Sequence, residues 1–193
     1  MKQKLSTKDL ITAGAFGAIY VVLITIVSTV LAMTPITFLL TPFVMGIVGS
    51  VVYMLYVSKI KKPGAILILA VLVGIITSGT SIYPLLLAVI WGAVAELIVR
   101  KGDYKAKGHI VASYCIFNFT SIGPLFLLVI AKKAFLENCA VYYGQEYVET
   151  MDNYTPSWIA LVFVALAIVG ALLGGQFSKR LLNKHFEKVG IWA

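Results

Sequence analysis

Charge is what this chain has least of. Asp, Glu, Lys and Arg make up 12% of its 193 residues, where a soluble domain of that size carries about 25%. There are 8 acids and 2 histidines. His109 and His185 stand far apart beside basic stretches, and no His-Glu-x-x-His occurs, so no metal-ligand constellation is expected. The 2 cysteines, Cys115 and Cys139, have neither metal-ligand spacing nor a disulfide framework. Cys115 lies in an apolar run and reads as a small buried hydrophobe. Neither a Gly-x-x-x-x-Gly-Lys-Ser/Thr phosphate loop nor a Rossmann glycine pattern is found. Paired carboxylates and Ser-His-Asp sets are lacking too. The expectation is a protein that is not an enzyme, carries no cofactor and takes any energy it uses from elsewhere. The net charge of +8 sits in short loops and tails, so no nucleic-acid partner is expected.

What the chain has instead is apolar length. Hydrophobic types make up 60% of it, and several uncharged runs exceed the roughly 20 residues that cross a bilayer. The expected class is an all-α integral membrane protein, one domain over 1–193, built as a bundle of six transmembrane helices. The run from Leu10 to Val57 is too long for one span, and Met33-Thr34-Pro35 divides it. This gives helices at 10–32 and 36–57, with Pro42 expected to kink the second. The run from Pro63 to Ala95 would extend about 50 Å as one helix. The break is placed at Thr77 to Ser81, leaving short helices at 64–79 and 82–99. Two more follow at 109–131 and 157–178, separated by a tyrosine-rich outer loop, 132–156. Within that loop, Phe135 to Tyr143 is expected as a short amphipathic surface helix.

Charge parity supports six helices. With both termini cytoplasmic, every one of the 16 Lys and Arg residues except Lys132 and Lys133 falls inside, a strong positive-inside bias. Reading 63–95 as one helix scatters that bias. The first run also lacks the processing site of a signal peptide, so the tail Met1 to Asp9 is expected to stay attached. The localisation implied is a cell membrane, crossed several times.

Polar residues gather at the expected outer ends. Thr34 and Thr37 follow the first break, and Ser78, Thr80 and Tyr83 flank the second. Asn118 and Thr120 precede Gly123-Pro124, which would loosen the local helical ladder. Tyr143 and Tyr147 lie in the long loop, and Trp158 opens the last helix. Polar groups and broken helices at one depth suit a small-solute pocket. They equally suit helix-to-helix hydrogen bonds and an interfacial aromatic belt. The long loop is read as a lid over that pocket, or as a passive surface helix. Glu96 is the one acid within an apparent span and stands four residues before Arg100, an arrangement for gating or for packing. Two stripes of small residues stand out. Ala13, Gly14, Gly17 and Ala18 pair at spacings of four near the start of the first helix. Gly170 and Gly174 pair in the last, where packing against another inner-half helix, the first among them, is expected.

The whole chain resembles a known family. Its length, six short helices and opening sequence DLITAGAFGAIY are similar to the substrate-binding S component of an energy-coupling factor transporter, and within it to the MptD or Trep_Strep group. The Ala13 to Ala18 stretch resembles the alanine-x-x-x-alanine element by which such components dock on their coupling subunit. The resemblance implies partners: a transmembrane coupling subunit, two ATPase subunits, a small micronutrient such as a vitamin, and the lipid bilayer. It implies capture at the outer face of a bacterial plasma membrane and delivery inward, with Ala13, Gly14, Gly17 and Ala18 as the docking surface. The neutral polar residues and tyrosines favour an uncharged or weakly charged heterocycle. A self-sufficient small transporter or channel, and a membrane protein of purely structural role, are the alternatives.

Overall fold

The computed structural model describes residues 4–79 and 81–186, and among these no strand occurs. Ten α-helices follow one another: α1 (Thr7–Leu31), α2 (Pro35–Leu39), α3 (Thr41–Lys59), α4 (Ala65–Ser78), α5 (Tyr83–Lys101), α6 (Lys107–Phe117), α7 (Gly123–Ile130), α8 (Lys132–Tyr143), α9 (Gln145–Tyr154) and α10 (Ile159–Phe186). A 3-10 turn, Asn118–Ile122, joins α6 to α7. Among the described residues five stretches are long and apolar enough to cross a membrane: Thr7–Leu31, Thr41–Lys59, Tyr83–Lys101, Lys107–Ile130 and Ile159–Lys184. The sixth expected span is α4. Its 14 residues extend only about 21 Å, against a hydrocarbon core of about 30 Å.

The breaks fall where the backbone chemistry demands them. Thr34 caps α2 by accepting from the N–H of Thr37, with Pro35 at the first helical position. Pro42 does not kink one continuous helix as expected. It opens a new one: α2 ends at Leu39 and α3 begins at Thr41, because a proline near a helix start needs no hydrogen bond from its nitrogen. At the end of α4, Thr77 and Ser78 turn their hydroxyls back onto the carbonyls of Val73 and Gly74, and Gly79 takes a positive φ of 47°. Gly123-Pro124 does interrupt its helix, which tightens to 3-10 geometry just before it. The stretch 132–156 contains the surface helix expected over 135–143, extended to start at Lys132, and a second helix after it. The two are hinged at Gly144, whose φ of 84° lies in the region that favours glycine. The last helix runs past 178 to Phe186, its polar turn carrying on beyond the apolar span.

The bundle has two ends. At the basic end, the capping box of Ser6 and Asp9 starts α1, and Asp9 pairs with Lys62 at 2.5 Å. Tyr56 donates to the carbonyl of Ala65, and Lys107 donates to Asn183 of α10. At the far end, Lys132 meets the Asp152 carboxylate at 2.6 Å and the carbonyl of Thr155 at 2.7 Å, closing α8 and α9 against each other.

Between these ends the core is aromatic. Tyr20, Tyr53, Tyr114 and Phe117 are fully buried and stack edge or tilted upon one another. Their hydroxyls stay satisfied: Tyr114 donates to Met45 O, and Tyr53 bonds Ser113, which donates to Ala95 O. A medium without water leaves them no other partner.

Helices α3 and α10 meet backbone to backbone. A Cβ on Gly170 would lie 2.3 Å from Phe43 O, and one on Gly174 would lie 2.2 Å from Gly46 O. The small-residue stripe of the last helix therefore faces α3, not the first helix, and Ser50 and Ser178 bond across the same seam at 2.6 Å.

Candidate functional site

The far half of the bundle holds a cavity of about 300 Å³, at the lower end of the range for small-molecule sites, and it is partly open, since Thr25, Thr29 and Ile76 of its wall are exposed. Helix α1 contributes Tyr20, Ile24, Thr25, Ser28 and Thr29 to its wall. Phe38, Thr41 and Met45 come from α2 and α3, and Val73, Ile76 and Thr77 from α4. The 3-10 turn and the start of α7 supply Thr120, Ser121, Pro124 and Leu125. The interruption of α6 is what brings this last set inward, since a continuous helix would carry its polar residues around the axis. Among the described residues no ionisable Lys, Arg, His, Asp or Glu lines the space.

A second hollow of about 410 Å³ adjoins it at the far end, with Thr77 and Pro124 common to both walls. Ser78, Gly79, Ser81 and Tyr83 form one side. The other is the face of α8 carrying Phe135, Asn138, Cys139, Tyr142 and Tyr143. Burial pushes the Cys139 thiol up, so it stays neutral. That face is held from beyond by α9. Met151 is fully buried in a cluster with Leu39, Leu125, Leu128, Ile159 and Phe163, and Tyr147 packs against it. Tyr147 also stacks on Tyr143, ring centres 4.6 Å apart. One wall of the far hollow is thus a helix tied to α9 near both its ends.

The expected site residues divide among these places. Thr120 lines the cavity; Ser78, Tyr83 and Tyr143 line the outer hollow. Tyr147 supports α8 through Tyr143 rather than lining a wall. Thr34 and Thr37 do not reach either space. They close the α1–α2 turn, Thr37 donating to Leu31 O at 2.6 Å. Thr80 lies outside the described residues. Trp158 is 60% exposed on an outward apolar groove of α10 with Phe43 and Leu161, the position of an interfacial anchor.

Asn118 is 1% exposed and takes the packing role. Its amide donates to Pro42 O at 2.9 Å and Ala167 O at 3.0 Å, bolting α3 to α10, and it is not on the cavity wall. The wall's polar members on α1, Tyr20, Thr25, Ser28 and Thr29, were not singled out in the sequence, where they stand within an apolar span. They follow one another at spacings of five, three and one in the uncharged half of α1.

The small residues of α1 split into two pairs. Ala13 and Gly17 are buried against the bundle, and a Cβ on Gly17 would lie 2.4 Å from Leu72 Cδ1. That removes them from an outward-facing surface, because the azimuth they occupy is filled by α4. Gly14 and Ala18 face outward, and a Cβ on Gly14 meets nothing within 4 Å.

Glu96 also differs from expectation. It does not pair with Arg100, which is exposed. One carboxylate oxygen accepts from the N–H of Ile66 at 2.9 Å and the other from the Tyr104 hydroxyl. Tyr104 folds back under the end of α5 by a left-handed turn at Asp103 and Tyr104, and so outcompetes a long solvated arginine. Burial, with the Glu96 bond added, pushes the Tyr104 hydroxyl well above its ordinary value and keeps it a donor.

No curated protein and no solved structure matches this chain. Residues 7–188 match Trep_Strep, described as a hypothetical bacterial integral membrane protein, and on that nearly full-length match the chain belongs to the Trep_Strep family of bacterial integral membrane proteins.

Proposed function

We propose that this chain is the solute-binding membrane subunit of an energy-coupling-factor-type importer. It captures a small micronutrient at the outer face and hands it inward with a transmembrane coupling subunit and two ATPases. In this reading the whole chain is one membrane domain of six spans in the bacterial plasma membrane, with α4 the short sixth. Both termini and the basic end are cytoplasmic, in line with the positive-inside bias. The far end, with its hollow, faces out. The subunit performs no chemistry of its own.

One observation carries the reading: an uncharged cavity, partly open at its side, lies in the far half and adjoins a vestibule walled by α8. Polar residues on broken helices at one depth are the architecture of membrane solute sites. The 3-10 turn is the broken element here, and Thr77 with Pro124 forms the partition a solute would pass. The docking surface is Gly14 and Ala18 on the exposed side of α1, towards the basic end and away from the cavity. Lipid gives little hydrophobic drive for association, so a smooth patch that lets two helices approach closely supplies it.

The test is co-purification with a coupling subunit and its ATPases. A leucine at Gly14 meets open space in the isolated chain, so Gly14→Leu is expected to fold normally. It is expected to lose the complex, overpacking at a close contact costing about 1–3 kcal/mol. Gly17→Leu strikes Leu72 and is expected to lower the melting temperature of the isolated chain instead. Undiminished complex formation by Gly14→Leu and Ala18→Leu together would remove this surface from docking.

A further inference from the structure

We infer that the cavity selects a neutral solute rich in hydrogen-bond donors, an inference that rests on the cavity being the solute site. The wall decides charge first. A carboxylate, phosphate or ammonium entering it leaves water and meets no opposite charge, which is prohibitive in a low-dielectric space.

The hydroxyls then decide polarity. Thr25 donates to Val21 O at 2.9 Å and Thr41 to Phe38 O at 2.6 Å. Thr77 donates to Val73 O at 2.9 Å and Ser121 to Asn118 O at 2.6 Å. Each of these protons is committed to a backbone carbonyl, so each oxygen has only lone pairs to offer a solute. Tyr20 is turned to the Tyr114 hydroxyl and is already engaged. Ser28, Thr29 and Thr120 have no protein partner for their hydroxyls among the described residues, and Thr120 is 2% exposed. The polar wall is thus four acceptors and three hydroxyls able to act either way. Ile24, Phe38, Met45, Val73, Ile76, Pro124 and Leu125 make the remainder apolar. A flat or compact solute carrying two or more N–H or O–H groups satisfies that set. The same solute with those hydrogens methylated leaves buried acceptors unpaired, the situation in which polar sites discriminate most sharply.

The experiment uses the full chain in lipid nanodiscs, with binding read by saturation-transfer NMR and calorimetric titration. Two matched triads serve as probes. One is uracil, 1,3-dimethyluracil and orotate; the other is nicotinamide, N,N-dimethylnicotinamide and nicotinate. Uracil and nicotinamide are expected to bind at least about tenfold tighter than their methylated and carboxylate counterparts. Thr120→Val, nearly equal in volume, is expected to weaken the two donor-bearing probes and leave the methylated ones unchanged. Ser28→Phe fills the cavity and is expected to abolish all binding. Methylated or carboxylate probes that bind as well or better, with binding still lost in Ser28→Phe, would overturn the solute class while leaving the site in place. Binding of the donor-bearing probes that persists in Ser28→Phe, or failure of all six to bind, would overturn the inference.

Discussion

At Glu96 a carboxylate in an apolar helix is held by two donors from different elements, the N–H of Ile66 and the hydroxyl of Tyr104. It caps the start of α4 from the side, where Gly64 in a left-handed turn provides no capping side chain. Together with the Asp9–Lys62 pair it fixes the α3–α4 connection to α1 and α5. Glu96→Leu is expected to orphan both donors and to destabilise by about 1–3 kcal/mol for each buried group left unpaired. Arg100→Ala, at an exposed position, is expected to change the melting temperature little. Equal losses from the two variants in thermal unfolding would restore an ion pair between them. The sequence made Glu96 conspicuous but misassigned its partner. Spacing of four places Arg100 within reach, whereas the Tyr104 contact depends on a left-handed turn at non-glycine residues that no local pattern announces.

At the scale of elements, most breaks were legible, the new helix at Pro42 and the Gly144 hinge excepted, and the facings were not. Pro35, Gly79 and Gly123-Pro124 mark their interruptions because proline and glycine act on the backbone itself. The direction in which a helix turns its small residues has no such marker. In a soluble helix the polar face reveals it, but a membrane helix is apolar all round. Gly14 and Gly17 therefore read alike in sequence, yet one faces out and the other meets Leu72. The stripe on α10 was likewise visible without its partner. Its contact with α3 is backbone against backbone, so Gly174→Leu leaves no side chain to move aside. It is expected to cost more than the about 1–3 kcal/mol usual for overpacking and to prevent recovery of folded protein. Gly108→Ala, where a Cβ meets nothing within 4 Å, is the matched control. A folded Gly174→Leu protein with an unchanged melting temperature would contradict the α3–α10 seam.

Across the whole molecule, the polar residues singled out in sequence mostly did belong to the far end, but they serve three purposes there. Thr120, Ser78, Tyr83 and Tyr143 line the two hollows, Thr34 and Thr37 close a turn, and Asn118 joins two helices. The cavity wall itself depends on Ser28, Thr29 and Tyr20 of α1, which looked like ordinary members of an apolar span. The central claim is that this cavity holds a solute, and the most direct measurement is mass spectrometry of what the purified chain carries. The full chain, extracted from its native membrane, is compared with the Ser28→Phe variant at matched melting temperature. The account predicts a small organic compound released from the first and missing from the second. The same compounds released from both, or none from either together with no solute that raises the wild-type melting temperature, would contradict it.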